Sequence, residues 1–369
     1  MIISCTTQTL NKALQNVQRA ISSKPSTPIF SGIHLIAKDN QLEIQAMDMN
    51  MAISSKIEAI ISEDGNIVVS ARKFSELIRR IDQESISLSQ DKEKNLLLVT
   101  AGKSDYKLPL MNEEDYPKFP YFNAEKRIEI EEAKISELIR KTIFACSTED
   151  TRPLFTGILV EVNEEKTTFV ATNTHRLAIK SLEQQNEEAA SIIIPSKVLA
   201  EIAHNLNNDL PEAIKISTLS SQIMIEIGET TIISRLIEGK FPDYRRVIPP
   251  KFSISTKVNV KELANAVERV SLFSNDGEYS VIKIIVEAEE MTIMSSSPDI
   301  GTGREIIGCQ TEGENLKVAF NAKYILDILK NLESETAVLS FNTSLSPVCV
   351  QSAEDENYTY IITPVRVVF

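Results

Sequence analysis

Three stretches spaced by about 125 residues repeat one local pattern, and a repeat of that length is too long for a solenoid unit, so each copy is expected to be a whole domain. An apolar strand running into an amphipathic helix occurs as Ile67-Val68-Val69-Ser70 before Ala71-Arg72-Lys73-Phe74. It returns as Ile192-Ile193-Ile194-Pro195-Ser196 before Lys197-Val198-Leu199, and as Val318-Ala319-Phe320-Asn321 before Ala322-Lys323-Tyr324. Ser70, Ser196 and Asn321 stand where a side-chain oxygen can accept from a free N–H of the first turn, so they are read as N-caps.

The helices that follow carry apolar residues at helical spacing: Phe74, Leu77, Ile78 and Ile81; Val198, Leu199, Ile202 and Leu206; Ile325, Leu326, Ile328 and Leu332. A second helix opens each unit, marked by Leu10, Leu14 and Val17, by Ile135, Leu138 and Ile139, and by Leu263, Ala266 and Val267. Alternating runs such as Leu42-Glu43-Ile44-Gln45-Ala46 and Ile223-Met224-Ile225-Glu226-Ile227 read as half-buried strands. Each unit is therefore α+β, and the fold class is three tandem α+β domains. Phe30-Ser31-Gly32-Ile33 and Phe155-Thr156-Gly157-Ile158 are further landmarks, with Val281 near the equivalent place in the third copy. Proline-bearing joints at Pro117-Lys118-Phe119-Pro120 and Pro249-Pro250 interrupt strand ladders, which sets the expected domains at 1–121, 122–250 and 251–369.

With 369 residues, 42% hydrophobic and 25% charged, the chain is neither a small disulfide-stapled module nor a disordered one. No apolar run approaches the ~18 residues of a membrane span. Met1-Ile2-Ile3-Ser4-Cys5 lacks the basic and apolar regions of a secretory signal, so the cytoplasm is the expected location. Cys5, Cys146, Cys309 and Cys349 are scattered without a Cys-x-x-Cys pair, so buried thiols are expected rather than a zinc site or a disulfide framework.

The formal charge of −13 argues on average against a polyanionic partner, but it is unevenly placed. The expected helices 7–24, 71–82, 134–146, 196–207, 260–273 and 321–332 carry +3, +2, +2, 0, 0 and +1, a total of +8 that leaves −21 on the rest of the chain. Helices facing a polyanion and strands facing solvent would explain this division. The plain alternative is a solvated basic helix face of the kind found on many proteins.

Ala171-Thr172-Asn173-Thr174-His175-Arg176-Leu177-Ala178, Phe241-Pro242-Asp243-Tyr244-Arg245-Arg246-Val247-Ile248-Pro249 and Ile361-Ile362-Thr363-Pro364-Val365-Arg366, in this order within a threefold repeat, resemble the bacterial DNA polymerase III beta subunit family of replicative sliding clamps. The resemblance spans the whole chain. It implies a DNA-clamp domain in each repeat, sheets outside and helices inside, and two chains joined head to tail into a ring around duplex DNA. Contact with DNA would be topological and independent of sequence. The replicative polymerase, the clamp loader, and repair and replication proteins would share a hydrophobic peptide-binding cleft between the second and third domains. No cofactor, metal or membrane is implied.

By resemblance that cleft is lined by Arg152, Thr172, His175, Arg176, Leu177, Pro242, Arg246 and Val247, with Leu345, Ser346, Pro364, Val365, Arg366 and Val367 from the third domain. Its chemistry is peptide recognition, in which aliphatic walls accept Leu and Phe anchors and polar rim atoms fix the backbone. Asn173, Thr174 and Val365 depart from the commonest family pattern, which bears on pocket shape. Tyr106 and Leu108 match the family's interface strand, and Leu272 and Phe273 the apolar pair opposite, with ordinary core packing as the competing reading. Lys103 and Lys107 would face a third domain bearing Glu287, Glu289, Glu290, Asp299 and Glu305. Lys24, Arg72, Lys73, Arg80, Lys141 and Lys197 are the candidate DNA-facing residues.

An enzyme reading has little to stand on. His175 beside Arg176 has no accompanying nucleophile motif, and Gly301-Thr302-Gly303-Arg304 lacks the spacing of a phosphate loop. The stronger competitor to the clamp is a repeat-built protein-interaction scaffold that never encircles DNA.

Overall fold

The repeat becomes visible first in its helices. In the computed structural model, which describes residues 1–22, 27–124, 126–149, 151–206, 213–274 and 280–367, there are six: α1 (Thr7–Val17), α2 (Ala71–Ile78), α3 (Glu132–Arg140), α4 (Ser196–Asn205), α5 (Val260–Ser271) and α6 (Ala322–Leu329). Each buries one stripe, such as Leu10, Ala13, Leu14 and Val17 on α1, and Leu263, Ala266, Val267 and Val270 on α5. No helix among the described residues is long and apolar enough to cross a membrane.

The capping expectation holds in one place and fails in two. Asn321 Oδ1 accepts from Lys323 N at 3.0 Å and caps α6. Ser70 precedes α2 but makes no capping bond, and Ser196 is already the first residue of α4. Side-chain caps appear where the sequence reading had not placed them: Thr6 on α1, through Thr9 N, and Asn259 on α5, through Glu262 N at 3.0 Å.

The helices are also shorter than their periodicity suggested, and within their bounds the formal charge falls from +8 to +2. Arg19, Arg79, Arg80, Lys141 and Lys330 all lie in the turns that follow α1, α2, α3 and α6. There their charge complements the exposed carbonyls at the negative end of the helix dipole.

By packing, the described chain forms two compact units, Met1–Ile135 with Ala200–Leu236, and Ser136–Leu199 with Ile237–Phe369. The first is built on a sheet ordered Lys126–Glu131, Ala213–Leu219, Gln222–Ile227, Thr230–Arg235, Met51–Glu58, Gln41–Met47, Gly32–Lys38, Gly65–Ser70, Ser104–Met111, Leu96–Ala101, Ser85–Asp91, Ile2–Thr6 and Ile60–Glu63. The second is ordered Ala190–Pro195, Gly157–Val162, Lys166–Thr172, Arg176–Glu183, Tyr358–Ile362, Val348–Ser352, Thr336–Phe341, Ile254–Asn259, Gly301–Glu312, Glu290–Ser297, Val281–Val286 and Leu316–Asn321. The middle repeat is thus divided, four of its strands extending each sheet. The joins are antiparallel ladders, Thr230–Ser234 with 51–55 in the first unit and Arg176–Lys180 with 358–362 in the second. The proline-bearing joints follow the repeat, whereas backbone pairing groups the chain across it.

Each unit carries the same core. Phe30, Ala52, Val68 and Met224 cluster in the first, and their counterparts 125 positions later in the first three cases are Phe155, Leu177 and Ile193 in the second, with Cys349 answering Met224 at the same offset. Gly32 and Gly157 are needed for close approach. A Cβ on Gly157 would lie 2.7 Å from the Ile194 carbonyl oxygen, and one on Gly32 would lie 2.7 Å from Val68 Cγ1. Val281 opens the corresponding strand of the third copy. All four cysteines are free and buried, and burial pushes the Cys5 thiol up to about 11 and those of Cys146 and Cys349 up to about 12.

Candidate functional site

Three surfaces bring the sequence candidates together, and the best defined is a cavity of about 270 Å³ in the second unit. Its walls are Phe155, Leu177, Phe241, Tyr244, Val247 and Ile361, with Pro242 and Pro347, and its polar lining is Thr172, Thr174, Asp243, Thr363 and Arg176. Phe155 and Phe241 meet edge-on with ring centroids 5.9 Å apart. Tyr244 donates to Glu161 Oε2 at 2.8 Å, and Arg245, stacked 4.4 Å over the Tyr244 ring, pairs with the same carboxylate at 2.7 Å. Burial raises the Tyr244 phenol pKa and the Glu161 carboxylate adds to the effect, so this wall stays a neutral donor.

The loop closing one side is over-determined by its own side chains. Thr172 Oγ1 donates to the Arg176 carbonyl at 2.6 Å, and Asn173 Oδ1 accepts from the backbone N–H of both His175 and Arg176 at 3.1 Å. Thr174 is left at φ +78°, a left-handed conformation unusual for a β-branched residue. Its hydroxyl accepts from Arg152 Nη1 at 3.0 Å.

Of the fourteen expected cleft residues, Thr172, Arg176, Leu177, Pro242 and Val247 line the cavity. Arg152 reaches the rim through Thr174. His175 is exposed and enters through its carbonyl, which accepts from Thr363 N at 2.9 Å. Arg246 points outward, 84% exposed and paired with Asp243 at 3.1 Å. Leu345 is exposed beside the Thr343–Ser346 turn, and Val365 N donates to Ala319 O at 2.8 Å. Pro364 and Val367 are half-buried and Arg366 is exposed, and none of the three lines the cavity. The last two residues of the apolar tail, 368 and 369, lie outside the described residues.

Phe155, Phe241, Tyr244, Ile361 and Pro347 are wall residues that the sequence reading did not assign to the cleft. The first four sit inside segments already marked as landmarks, so their aromatic and branched character was a usable signal. Pro347 carried none.

The second surface is a pair of strand edges, one in each unit. In the first unit Ser104–Met111 pairs with Leu96–Ala101 along one side, while on the other only Leu110 and Met111 are laddered. Residues 104–109 therefore expose a backbone edge without a strand partner among the described residues, with Tyr106 exposed and Leu108 half-buried. In the second unit Gly301–Gly308 pairs with Glu290–Ser297 on one side and has no strand on the other among the described residues. Leu272 is 71% exposed just after α5, and Phe273 lies on Gly303, where a Cβ would come within 2.5 Å of its ring. Glu305, expected to await a lysine, is instead held by Arg269 through two contacts of 2.6 Å.

The third surface is an open groove of about 1110 Å³ in the first unit, lined by Arg19, Arg72, Arg79, His204 and Glu76, with serine, asparagine and glutamine side chains of α1, α2 and their flanks making up most of the rest, and Arg19 is paired with Glu201 at 3.2 Å. Arg72 was expected there, while Arg19 and Arg79 were not. Lys73 and Lys197 are exposed, and Arg80 is exposed and paired with Glu76 at 2.8 Å. Lys24 lies outside the described residues.

Lys141 corrects the sequence reading. Its side chain is 4% exposed and contacts Glu137 at 2.8 Å, Asp355 at 3.0 Å and Glu333 at 3.3 Å, over the Tyr358 ring. Three carboxylates already surround this ammonium, so it is not free to meet phosphate.

Comparison with known proteins accounts for the repeat. Family models of the DNA polymerase III beta subunit match in order: the N-terminal domain at residues 1–120, the central domain at 129–243 and the C-terminal domain at 245–366. The chain is 32% identical over 369 residues to the beta sliding clamp of Bacillus subtilis, and 32% identical over 363 residues to that of Staphylococcus epidermidis, covering 97% and 96% of each pair. The crystal structure of the Bacillus subtilis DNA polymerase sliding clamp superposes with a TM-score of 0.95 at 31% identity. That of the Pseudomonas aeruginosa DNA polymerase III subunit beta gives 0.93 at 27%, both over all of each chain. With three clamp domains in sequence and full-length relatives above 30% identity, the chain belongs to the DNA polymerase III beta subunit family of bacterial sliding clamps.

Proposed function

We propose that the chain is a non-catalytic processivity clamp of the cytoplasm, which closes head to tail with a second copy around duplex DNA and tethers the replicative polymerase, the clamp loader and repair proteins. The observation that carries this reading is the match of all three clamp-domain models, in order, along the chain. The domains are taken at 1–121, 122–250 and 251–369.

Each surface has a physical part in that reading. The edge at residues 104–109 of one protomer and the edge at 301–308 of its partner are both free to ladder, with Tyr106 and Leu108 meeting Leu272 and Phe273. Pairing two unlike edges makes the contact heterologous, and two such contacts close a ring. The arginine groove of the first unit faces the phosphates, and the exposed Lys73 and Arg80 of that unit and Lys197 of the second are further phosphate-facing residues. Weak contact suits the task, because tight phosphate pairing would stop the ring from sliding. The 270 Å³ cavity admits a short apolar peptide anchor, with rim hydroxyls and backbone to hold the peptide chain.

The test is retention on DNA after loading. On a nicked circular plasmid the protein should stay bound through gel filtration and should run off once the plasmid is linearised. A scaffold that does not encircle DNA would be retained equally on both, and that result would reject the clamp reading. Sedimentation should give twice the chain mass at micromolar concentration.

A further inference from the structure

We propose that the peptides taken by the cavity carry acidic residues beside their apolar anchors, and that Arg152, Lys240 and Arg366 around its mouth select them. The inference rests on the peptide-cleft reading above and adds to it the charge of the ligand.

The apolar walls decide what enters the cavity, while the charges around it decide what can lie beside the entrant. Outside the lining, five cations border it. Arg152 is held at the rim by Thr174, and Lys240 precedes the wall residue Phe241. Arg245 and Arg246 stand between the wall residues Tyr244 and Val247, and Arg366 follows the lining residue Thr363 by three positions. Three residues of chain span at most about 11 Å, so Arg366 stays close to the lining.

Two of the five are already neutralised. Arg245 pairs with Glu161 at 2.7 Å, and Arg246 pairs at 3.1 Å with Asp243, the one carboxylate of the lining. Arg176, the lining cation, is buried against Asp327. Arg152, Lys240 and Arg366 remain, all exposed and without a carboxylate at ion-pair distance among the described residues. A chain of formal charge −13 thus borders its apolar cavity with three unpaired cations. They come from three separate segments and are interspersed with arginines already bonded to carboxylates. That arrangement suits the short acidic flanks of an anchored peptide, whereas a nucleic-acid strand calls for a continuous basic groove along its backbone.

The test uses the full-length protein and three fluorescein-labelled peptides with the same adjacent Leu and Phe anchors, read by anisotropy. Each side of the anchors carries two glutamates, two serines or two lysines. At 0.1 M salt, where charges act over about 10 Å, the glutamate peptide should bind about tenfold tighter than the serine peptide, and the lysine peptide weaker than both. At 1 M salt the preference should fall below about twofold. Arg152→Gln, Lys240→Gln and Arg366→Gln combined should bring the glutamate-to-serine ratio below about threefold. Lys38→Gln, Lys92→Gln and Lys94→Gln, an equal loss of exposed charge on the first unit, should leave that ratio unchanged. Equal affinities of the glutamate and serine peptides at 0.1 M salt would overturn the proposal and leave the cleft reading standing. So would a preference that survives the substitutions at the mouth, or one lost equally with the distant lysines. Displacement of the glutamate peptide by single-stranded oligothymidine as readily as by its own unlabelled form would assign the cations to nucleic acid and overturn it too. If none of the three peptides binds, the cleft reading falls and takes this proposal with it.

Discussion

The ammonium of Lys141 lies 3.0 Å from Asp355 Oδ2, and Lys180 Nζ reaches the same oxygen at 2.7 Å. Glu137 bridges both lysines from α3, at 2.8 and 3.1 Å. Two nearly buried cations and two carboxylates thus tie the strand Arg176–Glu183 to the turn before Tyr358–Ile362, where the middle repeat joins the second sheet.

Removing one member leaves a charge without its partner. Asp355→Ala should cost ~3 kcal/mol in urea unfolding at fixed protomer concentration, as the loss of one side of a buried pair does, with the m-value unchanged. Glu333→Ala, whose carboxylate is 64% exposed, should cost less than ~1 kcal/mol.

Acid should act on the same cluster. Burial alone would raise the Asp355 and Glu137 carboxyls, but hydrogen bonds and charge from Lys141 and Lys180 outweigh it and hold both below their ordinary values of 3.8 and 4.5. A depressed carboxyl contributes stability that is complete above its unfolded pKa and is lost as pH falls through the folded one. Urea midpoints should therefore hold from pH 7 to about pH 5 and drop below about pH 4.5, with a shallower drop in Asp355→Asn. The Lys141 shift has the opposite sign: burial lowers it, its carboxylates raise it further, and its contribution is lost only in alkali above 10.5.

Close approach at one glycine should be costly and at another free. Gly157→Ala puts a methyl 2.7 Å from the Ile194 carbonyl and 2.6 Å from Ile237 Cδ1, so thermal unfolding should show a loss of ~1–3 kcal/mol. Gly308→Ala meets nothing within 4 Å and should stay within about ±0.5 kcal/mol.

Salt dependence distinguishes the arginine groove from the buried lysine. Arg72→Gln with Arg79→Gln should lower the slope of log affinity against log salt for short duplex DNA by roughly 2, about one for each phosphate no longer neutralised. Lys141→Gln, at a position already occupied by carboxylates, should leave that slope unchanged. An equal effect of both would mean that the groove has no special part in binding.

Much of the architecture is legible in the residues. Apolar spacing marks all six helices, because a helix that buries one stripe must repeat its apolar residues near every 3.6 positions. Phe30 and Phe155, with Gly32 and Gly157 beside them, announce the repeat and occupy matching cores. The cleft was legible in its segments and less so in its atoms: the quoted runs contain Phe241, Tyr244 and Ile361, yet which of them face the cavity depends on strand register.

Local spacing thus determined the number of domains, the helices and the membership of the family, since each is encoded by residues near one another in the chain. Long-range packing decided the rest. Lys141 and Lys73 look alike in sequence as basic residues on or beside a helix, but Asp355, 214 positions from Lys141, turns one into a buried ion pair and leaves the other in solvent. Arg176 is likewise drawn beneath the cleft by Asp327. Burying a charge requires a counter-charge at contact distance, and no local pattern records a partner brought by another strand or helix.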